Sequence, residues 1–232
     1  MTISHHNMVY PIGNKLYDFS EILFMKRIGI KMSGGADSAA VAYMLWKTIQ
    51  ENNIHCEVVV LTTNHQGKSF QEHYAKKTVE YLNNKFHKVK VLTHLVNQNP
   101  AYYKDDYTTS IGYIEYQEML VTWAYENLDI EAIYTGITGN PPKEIHEKFR
   151  PNSKRPVGPK DDRDNTTQDV KWNPLIYTDK KGVAEIYDYF DIRDLFKITW
   201  SCEAYAWPTG RRESHCGKCW FCKEREWGFG EL

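Results

Sequence analysis

The run Ser33-Gly34-Gly35-Ala36-Asp37-Ser38 stands between an apolar stretch, 27–32, and a segment, 37–50, whose apolar residues Val41, Met44, Leu45 and Ile49 recur at helical spacing. Two adjacent glycines there allow a tight turn, so the chain is expected to pass from strand to helix within a few residues. Such a turn gathers backbone N–H groups, the Ser33 and Ser38 hydroxyls and the positive end of a helix, which together make a cradle for a phosphate. Asp37 would repel that anion unless a Mg²⁺ ion stood between them, and a carboxylate is a suitable ligand for that ion. The plainer alternative is a glycine turn followed by an ordinary Ser/Asp helix cap. Because the run lacks a Gly-Lys-Ser/Thr ending, it does not suggest transfer of a γ-phosphate.

The same alternation continues along the chain. Strands are expected at 56–61, 89–95 and 131–134, the last ending at Thr135-Gly136, and helices at 70–86, 116–127 and 182–189. Strands that alternate with helices imply a parallel sheet covered on both faces, a Rossmann-like α/β fold. Periodicity is lost among the Pro, Lys, Asp and Asn of 141–173, which reads as a long loop or lid. The expected organisation is an α/β unit over 1–173 carrying that lid, then a small helical, cysteine-bearing appendage over 174–232. With 232 residues and 41% hydrophobic content, one well-buried core is affordable but not two independent ones.

The 29 basic and 30 acidic side chains nearly cancel, so no global positive field favours nucleic acid, although 143–160 holds several basic residues. The first residues lack the pattern of a secretion signal, and no run approaches 18 apolar residues. The chain therefore reads as soluble and cytoplasmic, with no membrane partner. In that setting the cysteines Cys202, Cys216, Cys219 and Cys222 point to metal rather than disulfides. Three closely spaced thiolates can take three corners of a tetrahedron while Cys202 returns to the fourth, and a four-cysteine site leaves no open position, as in structural Zn²⁺. An iron–sulfur cluster also takes four thiolates. His215 is not expected to be a ligand, and Cys56 reads as a core residue. No Ser/His/Asp or paired-carboxylate pattern appears, so no general base is named.

The phosphate loop looks like that of the PP-loop ATP pyrophosphatases. Together with Asn173-Pro174-Leu175-Ile176, Ile198-Thr199-Trp200-Ser201-Cys202 and Cys216-Gly217-Lys218-Cys219-Trp220-Phe221-Cys222, it resembles the 7-cyano-7-deazaguanine (preQ0) synthases in order and rough spacing over nearly the whole chain. The resemblance implies an adenine-nucleotide α-hydrolase-like fold and a carbon–nitrogen ligase of queuosine biosynthesis. In that family ATP adenylates a carboxyl group on a 7-deazaguanine, AMP and pyrophosphate are released, ammonia gives the amide, and a second activation gives the nitrile. It further implies that Ser33, Gly34, Gly35, Asp37, Ser38, Thr135 and Gly136 bind ATP and its Mg²⁺, with Asp37 and Ser38 at the chemistry, and that the four late cysteines bind Zn²⁺. The implied partners are a deazaguanine-like small molecule and ammonia, and a homodimer is compatible with them.

Two stretches depart from the family's pattern. Ile111-Gly112-Tyr113-Ile114 stands where the family has Pro-Gly-Arg-Asn, and Thr138-Gly139-Asn140-Pro141-Pro142 replaces the Asp-Tyr-Ser-Gly-Tyr-Pro-Asp associated with the base. Lys143, Arg150, Lys154 and Arg155 then become candidates to meet an anionic substrate. Two other readings remain open: the same chemistry on a tRNA base or a protein terminus, and a zinc-bearing binding module with a vestigial ATP site.

Overall fold

The computed structural model describes residues 8–64, 70–98, 113–149, 171–202 and 214–232. The chain opens with an antiparallel hairpin, β1 (Val9–Ile12) and β2 (Lys15–Asp18). Its turn uses Gly13 at φ +60, which a residue without Cβ adopts freely. Tyr10, Ile12 and Tyr17 bury one face of the hairpin in the main core, and the Tyr10 and Tyr17 hydroxyls bond Thr48 Oγ1 at 2.8 Å and Thr178 Oγ1 at 3.0 Å. Periodicity did not foresee this hairpin, because four-residue strands built around tyrosines carry too short an alternation to stand out.

A second sheet is wholly parallel. It comprises β3 (Arg27–Lys31), β4 (Glu57–Asn64), β5 (Lys90–Gln98), β6 (Ala132–Tyr134) and β7 (Lys171–Trp172), in the order β5-β4-β3-β6-β7. The connecting helices are α1 (Ala36–Glu51), α2 (Phe70–Lys85) and α3 (Tyr113–Leu128). Period-2 alternation sends Ile28, Ile30 and Met32 to one face, where they join α1 in the main core, while Val59, Leu61 and Ile133 pack with Val121 and Ala124 of α3 on the other. The first crossovers step outward from β3 to β5, and the return through α3 places β6 on the opposite side of β3. The carboxyl ends of β3 and β6 therefore flank a topological switch point, the place where ligands gather in open α/β sheets.

The α/β parallel-sheet fold is thus the expected one, with two corrections in 141–173. That stretch is not one loop: α4 (Lys143–Phe149) forms near its start, and its end contributes β7, whose Lys171 and Trp172 pair with Ile133 and Tyr134 of β6. A two-residue edge strand has no period to read, and only the neighbouring strand makes it one. Residues 150–170, including Arg150, Lys154 and Arg155, lie outside the described residues, as do Ile111 and Gly112.

Among the described residues three helices follow: α5 (Lys180–Tyr189), α6 (Arg193–Lys197) and α7 (Trp220–Phe229). Asp179 caps α5 by accepting from the N–H groups of Lys181 at 3.0 Å and Gly182 at 3.1 Å, which starts the helix two residues earlier than the apolar spacing implied. Phe229 stacks on Phe196 at 4.1 Å and meets Tyr187 edge-on at 5.4 Å, so the last helix is seated on the main core. Among the described residues, no helix is long and apolar enough to cross a membrane.

Leu45 is 0% exposed in the centre of α1, whereas Phe24 is 85% exposed. Leu45→Ala is expected to cost about 2–5 kcal/mol in urea unfolding, against about 0.5 kcal/mol or less for Phe24→Ala.

Candidate active site and thiol cluster

The turn after β3 is built around Gly34, at φ +75, where an added Cβ would lie 2.6 Å from the Tyr74 Cβ of α2. Both the left-handed backbone and the close helix require glycine here. Gly35 is the extended N-cap of α1. Ser38 stitches the loop from inside the first turn of that helix: its hydroxyl donates to the Gly35 carbonyl at 3.1 Å and accepts from the Ser33 N–H at 3.4 Å. Ser33 Oγ accepts from the Gly35 N–H at 3.4 Å. From across the sheet, Gly136 comes so close that a Cβ on it would sit 2.5 Å from the Ser38 nitrogen. Thr135 is held by its N–H to the Trp172 carbonyl at 2.9 Å and by its hydroxyl to Asn173 Oδ1. The fold thus brings together all seven residues proposed from sequence for the nucleotide. Ser33, Ser38, Thr135 and Gly136 line a half-open cavity of about 160 Å³ with Lys31, Thr63 and Gln117, its apolar walls being Met32, Leu61, Leu120, Val121 and Ile137.

Asp37 faces away from that cavity. One oxygen, Oδ2, pairs with Lys180 Nζ; the other, Oδ1, is buried without a hydrogen-bond partner among the described residues. Lys180 is the first residue of α5 and is itself buried, its backbone pressed by Gly228 of α7, where a Cβ would fall 2.5 Å from the Lys180 Cβ. Lys180 does not belong to the residue set that the sequence motifs predict. A signal was present: a lysine directly after a helix-capping aspartate stands where the helix dipole disfavours a cation, so it needs a compensating anion. Tyr187, also on α5, donates its hydroxyl to the Ala36 carbonyl at 2.9 Å and fixes the start of α1 from below.

The segment before Cys202 ties this loop to the cysteines. The Trp200 N–H donates to the Gly34 carbonyl at 2.8 Å, and its indole is sandwiched between Tyr74 at 5.2 Å and 12° and His215 at 4.2 Å and 24°. His215 Nε2 accepts from the Ser201 N–H at 3.3 Å. Burial, and then the charge of Arg225, push its pKa down to about 4, so the ring is neutral and suited to accept. Arg225 is 1% exposed, donates to Thr199 Oγ1, Ser201 Oγ and the Phe196 carbonyl at 3.0, 3.1 and 3.0 Å, and lies 3.7 Å over the Phe196 ring. Burial lowers its pKa to about 10, which leaves it charged at neutral pH.

The ligand sulfurs of Cys202, Cys216, Cys219 and Cys222 all lie within 4.8 Å of one another and could hold a metal ion, as their spacing suggested. Gly217, at φ +65, makes the knuckle between the first two of the closely spaced three. Cys216 Sγ accepts from the N–H groups of Cys219 at 3.2 Å and Lys218 at 3.4 Å. Burial raises its pKa, but these donors outweigh it and bring the thiol down to about 6; burial pushes Cys222 up instead. His215 is outside the group, occupied with Trp200, and Cys56 is a buried core residue immediately before β4. His146 and Phe149 of α4 meet the Trp220 ring edge-on at 5.1 and 5.9 Å, so the start of the expected lid is fastened beside the cysteines.

No family model matches the chain, and no curated protein matches it. Among solved structures it is similar to the U34-tRNA thiolase NcsA from Methanococcus maripaludis with its [4Fe-4S] cluster. The identity is 13% and the TM-score 0.43, over 72% of this chain and 57% of the thiolase. It is also similar to NAD⁺ synthetase from Burkholderia pseudomallei, at 12% identity and a TM-score of 0.40, over 91% of this chain and 76% of the synthetase. The chain thus spans little more than half the length of the thiolase.

Gly34→Ala forces a Cβ into a left-handed turn against Tyr74. A loss of about 1–3 kcal/mol is expected in chemical denaturation, and an unchanged midpoint would show that the turn is free to rearrange.

Proposed function

We propose that this chain is an ATP-dependent enzyme that adenylates a carboxylate and releases AMP and pyrophosphate. The observation that carries the reading is the convergence on the N-terminus of α1 of a glycine turn, two serine hydroxyls, the Thr135-Gly136 backbone and the Asp37–Lys180 pair. Backbone N–H groups and a helix N-terminus favour the phosphates, and no Walker lysine is present to direct attack to the γ-phosphate. In this reading Lys180, paired with Asp37, would share its charge with a departing pyrophosphate. The donor set also fits Mg²⁺: Asp37 Oδ1 is a buried carboxylate oxygen without a partner among the described residues, and this ion is commonly held by one or two carboxylates plus the substrate's phosphates. When bound, Mg²⁺ would neutralise charge on the phosphates.

In the proposed reaction a carboxylate oxygen bonds to the α-phosphorus as the bond to pyrophosphate breaks. Ammonia then attacks the acyl carbon, loses a proton and expels AMP, giving the amide. The chain's part is positioning and electrostatic stabilisation, by the loop N–H groups, Ser33, Ser38 and Lys180. The four sequence segments shared with the 7-cyano-7-deazaguanine synthases support a 7-deazaguanine acid as the substrate and a second activation, to the nitrile. The substituted stretch Thr138–Pro142 lies beside α5's entry, with the Gly139 N–H donating to the Thr178 carbonyl at 2.9 Å, so any base contacts there must differ from the family's.

For the cysteines the reading is structural Zn²⁺. A tetrahedral ion with Zn–S near 2.3 Å separates its sulfurs by about 3.8 Å, and Cys216–Cys222 and Cys202–Cys219 are 3.8 and 4.0 Å apart. An iron–sulfur cube sets its thiolates on separate irons and so farther apart.

Incubation with ATP, Mg²⁺, ammonium and 7-carboxy-7-deazaguanine should yield AMP, pyrophosphate and the amide or nitrile by mass analysis. ADP as the sole nucleotide product would overturn the reading. Asp37→Asn, which keeps the side-chain shape, should reduce turnover by at least about 100-fold, as loss of an electrostatic element at a reacting phosphate does. Elemental analysis should find one zinc per chain, and Cys219→Ser should lower both that content and the melting temperature; iron with sulfide in its place would decide for a cluster.

A further inference from the structure

Helix α7 starts in the thiol group and runs on to the residues that support the phosphate loop. Cys219 is its N-cap and Cys222 lies in its first turn. Cys222, Arg225 and Phe229 follow one another at helical spacing and are all buried, so they share one face. Phe229 stacks on Phe196 and meets Tyr187, whose hydroxyl donates to the Ala36 carbonyl at the start of α1. Gly228 lies against Lys180, the partner of Asp37. Arg225 donates to Thr199 Oγ1 at 3.0 Å and Ser201 Oγ at 3.1 Å, on either side of Trp200, whose N–H donates to the Gly34 carbonyl at 2.8 Å. The same helix therefore begins among the metal ligands and braces the loop at Gly34, Ala36 and Asp37.

Two clasps close the same pair of segments, 199–202 and α7. One is Arg225 on Thr199 and Ser201; the other is the thiol group, in which Cys202 meets Cys219 and Cys222. Both act on Trp200, and neither lines the cavity. The turn at Gly34, with φ +75, is one of many conformations open to glycine, and only molecules that have formed it present its N–H groups to a phosphate. Apparent affinity for a ligand falls in proportion to the fraction of molecules that are competent to bind it. An ion on the four thiols adds folding free energy to the knuckle, and the contacts of α7 pass it to the turn. We propose that Arg225 is a positioning residue that couples the thiol group to the phosphate loop, so that Zn²⁺ on the cysteines and ATP with Mg²⁺ each raise the other's affinity. By linkage the two factors are equal. This coupling rests on the reading of the loop as a nucleotide site, and the measurements below separate the two.

Calorimetric titration with ATP and Mg²⁺ is compared between the zinc-loaded protein and the same protein after a chelator has removed the ion. ATP should bind about 5–150-fold more weakly without zinc, the range of ordinary coupling between sites. In reverse, saturation with ATP and Mg²⁺ should raise the affinity for zinc by the same factor, read at buffered free Zn²⁺ against a chromophoric chelator. Ser201→Ala removes one acceptor of Arg225 and leaves every cysteine in place. In its zinc-loaded form ATP should bind at least about threefold more weakly, a part of the roughly 10–100-fold that a hydrogen bond to a charged group is worth, and Arg225→Lys should lose more. Zinc content should stay at one per chain in both variants. Should the ion-free protein unfold, zinc-loaded Ser201→Ala carries the test. A purely structural Arg225 would lower the melting temperature of these variants and leave their affinity for ATP as in the wild type, and that result overturns the coupling. So does equal ATP affinity in folded protein with and without zinc, or a chain that takes up no zinc; the nucleotide reading survives all three. Zinc-loaded wild-type protein that binds no ATP overturns both.

Discussion

The hydrogen bond from the Trp200 N–H to the Gly34 carbonyl is the contact on which the rest of the site hangs. A glycine in a left-handed turn has more freedom in the unfolded chain than any other residue, so its native conformation needs outside restraint. Trp200 supplies that restraint from a segment gripped on every side: Tyr74 and His215 on its ring, Arg225 on the hydroxyls of Thr199 and Ser201, and the cysteine cluster two residues on. Whatever stabilises the cysteine knuckle also stabilises the geometry of the loop. The tail therefore has a mechanical role in the candidate active site, although none of its described residues lines the cavity.

Charge is arranged in the same economical way. Lys180 with Asp37 and Arg225 over Phe196 are largely withdrawn from water, whereas Lys31 meets Glu118 and Lys171 at a part-exposed edge, with the Glu118 side chain 42% exposed. Burying ions in pairs is not in itself a good route to stability, since desolvation offsets most of the attraction. Arg225 gives its terminal N–H groups to two hydroxyls and a carbonyl and its face to a ring, while its Nε is buried without a partner among the described residues; the contacts suit a role in holding the segment 196–201 together. Among the described residues Asp37 likewise retains an oxygen without a partner, and the contact from Lys31 to Glu118 is long.

Much of this was legible in the chain itself. The glycine run with its flanking apolar stretch and helical spacing implied strand, turn and helix; the alternation of such units implied a parallel sheet; and the cysteine spacing implied a closed four-thiol group. Each is a local property, set by which residues stand one, two or four positions apart and by glycine's backbone freedom. What only the tertiary structure decided is pairing over long separations. The edge strand β7 exists because β6 offers it a ladder, Lys180 acquires meaning because α5 crosses beneath Asp37, and Lys31 faces a cavity rather than the main core because the chain returns through α3 on the other side of the sheet. These outcomes follow from crossover direction and helix packing, which combine contributions from the whole core and leave no periodic trace at the residues they place.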